Sequence, residues 1–420
     1  MSNTPTHDVI IVGGGMVGAA LACTLAPSSL SIAIVDTHTP AAFDPTSPPD
    51  LRVSAISRAS ENILRQAGAW EKILAMRACP YHRMSVWEDA KLPFYKELLG
   101  SWFKGTHFDS FSIAEDTLGH IMENRVIQLA LWQTIEALDN VEILCPAKVQ
   151  SMDRDNGNVT LTLDSQQQLV ARLVVGADGA NSQVRKTAHI GLDSSDYEQE
   201  AMLATIVIAP PQQDITWQRF TPTGPQAFLP LMDVGQLNYG SIVWYHHPDE
   251  ISRLKKLPEK EFIEELTATF PERLPSVTGL ISRGSFPLTR RHAKAYVKPN
   301  YALIGDAAHT INPLAGQGVN IGLPDAACLA EVLSDAHRKG ENIGELRILK
   351  RYERRRRFEN QKMISIMDFF YHSFSNNNKA ITLLRNLGLD SADHLKPLKN
   401  KIMRYAMGLN EKTPGPESRQ

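Results

Sequence analysis

The chain has 420 residues, of which 43% are hydrophobic and 21% charged, so it can bury a large core and is not a disordered or fibrous protein. The 44 Lys and Arg residues nearly balance 46 Asp and Glu residues, which excludes the positive field typical of nucleic-acid-binding proteins. No run approaches about 18 apolar residues and the N-terminus lacks a signal-peptide layout, so we expect a cytoplasmic protein.

The chain opens with the pattern of a nucleotide-binding unit. Residues 8–12 form a short segment rich in β-branched side chains, and three glycines follow it. Residues 17–25 are mostly small, and their apolar positions have helical spacing. A second apolar strand, at 31–35, ends at Asp36. Strand, tight turn, helix and strand therefore fit within about 30 residues, as a strand-helix-strand unit requires.

Glycines stand at the first, third and sixth places of a dinucleotide fingerprint, at Gly13, Gly15 and Gly18. They allow a tight turn and let a pyrophosphate approach the N-terminus of the helix, while Asp36 can accept hydrogen bonds from ribose hydroxyls. The alternative is a glycine turn that serves close packing alone.

The rest of the chain alternates between helical and strand-like segments. Helical spacing is expected at 57–69 and 118–138, strands at 141–175 and 301–304, a β-rich block at 195–290, and mainly helix beyond 317. Two of these strands lead into an aspartate set among small residues, Asp178 and Asp306. Either carboxylate could bind a ribityl chain or could cap its own loop.

Here the sequence resembles the flavin-dependent aromatic hydroxylases. The glycine fingerprint, Gly-Ala-Asp-Gly at 176–179 and Gly-Asp-Ala-Ala-His at 305–309 occur in that family's order and at roughly its spacing. Further segments resemble those of the ubiquinone-biosynthesis hydroxylases, over nearly the whole chain: 49–56, 80–83, 118–120, 123–124, 216–222, 286–292, 312–320, 374–377 and 385–389.

The resemblance implies an α/β (α+β, two-domain) fold, with a Rossmann-like FAD-binding domain, an inserted mixed or antiparallel β-sheet substrate domain and a C-terminal helical region. The FAD-binding domain would comprise 1–80, 111–190 and 291–345, the substrate domain 81–110 and 191–290, and the helical region 346–420. It implies FAD contacts at Gly13, Gly15, Met16, Val17, Gly18, Asp36, Arg52, Asn124, Gln128, Asp178, Asp306, Gly316, Gln317, Gly318, Val319 and Asn320.

The reaction implied by the resemblance is hydroxylation of a polyprenylated quinol, 2-polyprenyl-3-methyl-6-methoxy-1,4-benzoquinol, with FAD as cofactor. NADH or NADPH would reduce the flavin, and O2 would supply the oxygen atom through a flavin hydroperoxide. The alternatives are another ring position, a soluble phenol, or a non-catalytic FAD-binding subunit. Implied partners are the quinol, the membrane surface, and further copies or other ubiquinone-biosynthesis proteins; no nucleic acid and no metal are expected.

Two residues are candidates for the catalytic site. Pro313 begins the segment that the resemblance sets beside the isoalloxazine, and His309 could either relay a proton or hydrogen-bond its own loop. His292 has the same two interpretations. Pro324 is expected in the first turn of its helix, where proline removes no intrahelical hydrogen bond.

Other polar and aromatic residues have both a functional and a structural interpretation. Arg290 and Arg291 could attract the nicotinamide phosphate or face water, and residues 354–357 could meet anionic lipid or be a solvated helix face. Five aromatic residues of the β-rich block are more often sheet core than pocket: Trp217, Phe220, Phe228, Trp244 and Tyr245. The four widely spaced cysteines are expected to be reduced and mostly buried: Cys23, Cys79, Cys145 and Cys328.

Overall fold

The computed structural model describes residues 5–88, 106–311 and 318–374, with side chains up to residue 368. The helices are α1 Met16–Leu25, α2 Arg58–Gln66, α3 Trp70–Met76, α4 Asn124–Ile135, α5 Gln183–Thr187, α6 Pro248–Lys256, α7 Glu259–Thr269, α8 Val319–Arg338 and α9 Leu346–Phe374. The strands are β1 His7–Val12, β2 Ile32–Val35, β3 Val53–Ser57, β4 Cys79–Tyr81, β5 Arg83–Glu88, β6 Thr106–Asp109, β7 Gly119–Glu123, β8 Val141–Leu144, β9 Val149–Asp155, β10 Asn158–Leu163, β11 Gln168–Gly176, β12 Leu192–Ile208, β13 Ile215–Thr221, β14 Gly224–Val234, β15 Leu237–His246, β16 Val277–Ala293, β17 Val297–Lys298, β18 Tyr301–Leu303 and β19 His309–Thr310.

The first sheet has the order β17-β18-β11-β1-β2-β8, with β10 also paired to β11 and β9 paired to β10. Strands β18, β11, β1, β2 and β8 run parallel. Helices α1, α4 and α8 pack beside one another in this layer. Because helices cover a parallel sheet, its central strands are continuously apolar, and the last four residues of β1 are all buried.

The second sheet has the order β19-β16-β12-β15-β14-β13-β5-β6. Its strands pair antiparallel except β13 with β5, which run parallel. Residues of β12, β14 and β15 on one face form a core with α6 and α7. The other face shares a core with β3, β7 and β4, which form a three-stranded antiparallel sheet.

The opening strand-helix-strand unit was predicted within one residue at each end, but the helix expected at 118–138 was partly wrong. Residues 119–123 are strand β7, and the helix begins only at Asn124. All five residues of β7 are buried, so its apolar spacing does not distinguish a strand from a helix. Pairing with β3 and β4 decides between them.

Pro324 also differs from its prediction. Helix α8 begins at Val319, so Pro324 lies inside the helix, beyond its first turn. A proline there leaves the carbonyl group of the residue four positions earlier, Asn320, without its helical donor. Among the described residues, no helix is long and apolar enough to span a bilayer.

Candidate active site

A cavity of about 500 Å³ opens between the end of the parallel strands and the face of the second sheet. One wall consists of backbone turns and polar groups, including Gly15 before α1, Arg52 before β3, Asp306 after β18 and His309 at the start of β19. The opposite wall is apolar and comes from β12, β14, β15 and β16: Leu203, Leu229, Val243, Phe286 and Leu288. Its size and its mixed walls are typical of a site for a small molecule.

The glycine fingerprint forms the tight turn at the floor of this cavity. Gly13 has φ +105°, and an added Cβ would lie 2.4 Å from the carbonyl oxygen of Ala177. A Cβ on Gly18 would lie 2.0 Å from the carbonyl oxygen of Gly13. A Cβ on Gly15 would meet no atom within 4 Å. Gly13 and Gly18 are therefore needed by the fold, whereas Gly15 leaves space open beside the N-terminus of α1.

Two predicted cofactor residues, Asp36 and Gln128, hold this turn from outside the cavity. Asp36 Oδ2 accepts a hydrogen bond from the Gly14 N–H at 2.5 Å, and the Gln128 side-chain amide donates to the Gly14 carbonyl at 3.0 Å. Met16 and Val17 line the cavity directly. Trp132, which the sequence-based prediction did not include, donates its indole N–H to the same Gly14 carbonyl at 2.6 Å.

Asp178 caps helix α5 with one of its oxygens. Oδ2 accepts from the backbone N–H groups of Gln183 and Val184, at 2.6 and 3.1 Å. Oδ1 is buried and accepts no hydrogen bond from the described residues. Asp178 is not among the residues that line the cavity, although its neighbours Ala177 and Gly179 are.

Arg52 and Asn124 lie together on another side of the cavity. The backbone N–H of Asn124 donates to the carbonyl of Arg52 at 3.0 Å, and the Asn124 side chain accepts from the Ser54 hydroxyl at 2.7 Å. A buried ion pair supports this segment, because Arg77 Nη1 lies 3.0 Å from Glu123 Oε1. This ion pair thus stabilises the backbone that carries Arg52 and Asn124.

Asp306 lies on the turn between β18 and β19, His309 is the first residue of β19, and both line the cavity. The side chain of Asp306 faces the open cavity, although protein surrounds most of it. Its removal from bulk water raises its pKa, and His309, Arg291 and Arg52 act in the opposite direction. The ring of His309 is only 3% exposed and its Nε2 lies 2.5 Å from Asp325 Oδ2.

The N-terminus of α8 closes the cavity on one side, where Gly318, Val319 and Gly322 line it. The side chain of Asn320 points elsewhere, since it donates to the carbonyl of Ala55 at 2.7 Å and accepts from the N–H of Ser57 at 3.1 Å. The predicted positions Pro313, Gly316 and Gln317 lie outside the described residues.

Residues 6–366 match the model of a family described as FAD binding domain. The chain is 43% identical over 411 residues to 3-demethoxyubiquinol 3-hydroxylase of Escherichia coli (strain K12), covering 97% of this chain and 100% of that protein. It is 36% identical over 409 residues to ubiquinone hydroxylase UbiL of Rhodospirillum rubrum, covering 97% and 91%.

The chain belongs to the FAD-dependent ubiquinone-biosynthesis hydroxylases. The predicted family, fold class and FAD-dependent monooxygenase activity are confirmed. The fold of this hydroxylase also resembles that of p-nitrophenol 4-monooxygenase PnpA from Pseudomonas putida DLL-E4. The TM-score is 0.76 at 19% identity, over 97% of this chain and 98% of that chain.

The cavity of the hydroxylase fits FAD. Helix α1 begins at Met16, and its N-cap residue Gly15 has no side chain to cap it, so its first N–H groups remain available to a pyrophosphate. Asp306 presents a carboxylate to the same space and would accept hydrogen bonds from hydroxyl groups of FAD. The hydroxylase uses FAD, with NAD(P)H and O2 as cosubstrates.

Several other residues of the hydroxylase lie outside the cavity. All five aromatic residues are at most 6% exposed and none lines the cavity, which confirms their interpretation as sheet core. Arg290 pairs with Asp368 at 2.6 Å, whereas Arg291 lines the cavity and donates to the Asn181 side chain at 3.1 Å. All four cysteines are free; three are buried and Cys145 is half-buried.

Asp325 is a further residue beside the site that sequence reasoning missed. It is fully buried on α8, behind the loop that carries Asp306 and His309. The available signal was an aspartate within an otherwise apolar helical stretch, since a buried carboxylate requires partners. Its partner His309 lies sixteen residues earlier, beyond the reach of helical periodicity.

Proposed function

We propose that this hydroxylase acts on the single unsubstituted ring carbon of a 2-polyprenyl-3-methyl-6-methoxy-1,4-benzoquinol. Positions 1 to 4 and 6 of that ring carry substituents, so only carbon 5 has a hydrogen to replace. The relative in Escherichia coli is named a 3-demethoxyubiquinol 3-hydroxylase, which describes a ring lacking one methoxy group.

The observation that carries the proposal is the pairing of two unlike walls around one cavity. The polar wall with Gly15, Arg52 and Asp306 suits a dinucleotide, and the opposite wall is formed by aliphatic and aromatic side chains. A neutral ring with an apolar substituent loses little hydration on entering such a space. A charged phenolic acid would have to give up more hydration at the apolar wall.

The overall reaction is quinol, O2, NAD(P)H and a proton giving hydroxylated quinol, water and NAD(P)+. Bound FAD supplies the transfer of electrons from NAD(P)H and the activation of O2. The residues of the chain bind and orient: Gly15 leaves room for the pyrophosphate, Asp306 is available to ribityl hydroxyls, and the apolar wall keeps water from the ring.

The test is product analysis with purified holoenzyme and a short-chain analogue of the quinol. We expect substrate-stimulated NAD(P)H oxidation and a product heavier by one oxygen atom, labelled from ¹⁸O₂. Asp306→Asn should lose most of this activity, whereas Asp335→Asn, at a half-buried carboxylate of α8 that pairs with Arg338 and Lys339, should retain it.

Cells that lack the gene provide the matching test of ring position. They should accumulate the 3-methyl-6-methoxy intermediate, and the intact gene should clear it. Accumulation of a different ring intermediate would replace the proposed position by another, as the relationship to UbiL also allows. Oxidation of NAD(P)H stimulated only by soluble phenols would contradict a quinol substrate.

We also propose that α9 contacts an anionic membrane surface near the lipid-soluble substrate. Arg354 and Arg357 are exposed, and Phe358, the residue after Arg357, is 69% exposed. Exposed arginines beside an exposed aromatic ring suit a lipid interface. The aromatic side chains expected to help, at 369–374, lie outside the described side chains. Sedimentation with phosphatidylglycerol vesicles should be weakened by Arg354→Glu with Arg357→Glu and absent with phosphatidylcholine.

A further inference from the structure

The carboxylate of Asp325 accepts four hydrogen bonds. Oδ2 accepts from the backbone N–H of Gly305 at 3.2 Å and from His309 Nε2 at 2.5 Å. Oδ1 accepts from Arg356 Nε at 2.9 Å and from the Asn360 amide at 3.0 Å. Asp325 thus holds both ends of the loop 305–309 from behind and ties that loop to helix α9.

This arrangement fixes which nitrogen of His309 carries a proton. Burial alone would raise the pKa of Asp325, but His309 and Arg356 lower it to about 2, so the carboxylate is ionised at neutral pH. An ionised carboxylate can only accept hydrogen bonds. His309 Nε2 must therefore carry a hydrogen whether the ring is neutral or protonated, and Nδ1 is the nitrogen that gains or loses the second proton.

The cavity lies on the other side of this ring. His309 lines the cavity together with Asp306, whereas Asp325 is 0% exposed. Several elements bring charged or titratable groups close to His309 or to its direct neighbours. They are Asp306 on the turn before it, Arg52 before β3, Arg291 and His292 on β16, Tyr296 after β16, Asp325 on α8, and Arg356 and Arg357 on α9.

The other titratable groups on the buried side of the His309 ring do not compete with Asp325 for the Nε2 proton. Burial, followed by His309 and Arg357, lowers the pKa of His292 to about 4, so His292 is neutral at pH 7. Burial raises the pKa of Tyr296, which stays a neutral phenol. Arg356 is bound to Asp325 and Asn360. Asp325 is thus the acceptor for His309 on the buried side.

We propose that Asp325 is a positioning residue that keeps the Nε2 proton of His309 on the buried side, so that the ring exchanges protons with a cavity ligand through Nδ1 alone. The inference rests on the proposed function, since the ligand that would exchange the proton is a hydroxyl group of the bound quinol. In the step, the quinol O–H bond breaks and an Nδ1–H bond forms. The resulting phenolate and imidazolium carry opposite charges, and Asp325 balances the imidazolium. Loss of the proton from the quinol hydroxyl makes the ring richer in electrons before it receives oxygen.

The first test reads the tautomer directly and needs no substrate. Nitrogen NMR of protein labelled with ¹⁵N-histidine distinguishes Nδ1–H from Nε2–H. His309 in the unmodified protein should favour Nε2–H by at least about tenfold, because a hydrogen bond to a charged group favours the donor form by that factor. Asp325→Asn should populate Nδ1–H, and Asp335→Asn on the same helix should leave the signal unchanged. A signal of mainly Nδ1–H in the unmodified protein would overturn the proposal, even if the hydroxylase reaction itself were established.

The second test separates proton exchange from support of the loop. Glutamine in His309→Gln can keep a donor at the place of Nε2 and has no counterpart of Nδ1. With FAD at saturation, we expect the affinity for FAD to stay within about threefold and kcat to fall by about 100-fold, with loss of the pH dependence that the ring imparts. His309→Asn should also lose FAD affinity, because its shorter amide cannot reach Asp325. An unchanged kcat and pH profile in His309→Gln would show that the ring only supports the loop, and would overturn the proposal.

Discussion

Gly15→Ala and Gly18→Ala differ only in where the same methyl group points, and they should separate cofactor binding from folding. A Cβ on Gly15 meets no atom within 4 Å, and Gly15 has φ −66° and ψ −179°, which alanine adopts without strain. The N-cap position prefers glycine over alanine, whereas the loss of backbone freedom in the unfolded chain favours alanine. The free energy of unfolding of the apoprotein should therefore change by less than about 1 kcal/mol.

The effect of Gly15→Ala on FAD should be much larger. Its methyl group would occupy the space beside the first N–H groups of α1, where a pyrophosphate must approach. Loss of one charge-assisted hydrogen bond reduces the binding free energy by about 1.5–3 kcal/mol, so the Kd for FAD should rise by roughly 10- to 150-fold. Quenching of flavin fluorescence on binding to the apoprotein measures this directly.

Gly18→Ala should do the reverse. Its methyl group would lie 2.0 Å from the carbonyl oxygen of Gly13, so the backbone must move. Overpacking of this kind costs about 1–3 kcal/mol, and the melting temperature of the apoprotein should fall accordingly. If Gly15→Ala destabilised the apoprotein as much as Gly18→Ala, or bound FAD with unchanged affinity, the assignment of the open space beside Gly15 to FAD would be wrong.

Three further changes test the electrostatics of the site. Asp306→Asn should weaken FAD binding without lowering the melting temperature of the apoprotein at neutral pH, because removal from bulk water raises the pKa of Asp306 and its charge does not favour the folded state. The depressed pKa of Asp325, about 2 against an ordinary 3.8, stabilises the fold by about 2 kcal/mol above pH 4 and is lost as the pH falls toward 2, so Asp325→Asn should flatten acid unfolding in that window. Arg77→Met should cost about 3 kcal/mol in urea unfolding because it removes the nearer of the two arginines beside the buried carboxylate of Glu123, whereas Arg253→Met, from a more exposed pair, should cost less than about 1 kcal/mol. Equal losses for the two arginine variants would contradict the role of the buried pair.

Local patterns predicted the parts of the site that depend on a few neighbouring residues. The fingerprint spacing identified the turn at Gly13 and Gly18, and the strand before Asp306 was located within one residue. What the side chains of Gln128 and Asn320 contact could be learned only from the structure, because each binds backbone groups of a distant segment. Residue type alone does not reveal whether an amide faces a ligand or supports a turn.

The sequence by itself determined the nucleotide-binding turn, because backbone sterics and side-chain periodicity act over a few residues, and its resemblance to known hydroxylases indicated the family and the class of chemistry. Only the tertiary structure decided that residues 119–123 pair as a strand, that Arg290 pairs with Asp368, and that Asp325 fixes the ring of His309. These outcomes depend on which buried polar groups meet across separate elements. A buried charge must find its partner wherever the packing of the chain brings one, and no local pattern records that choice.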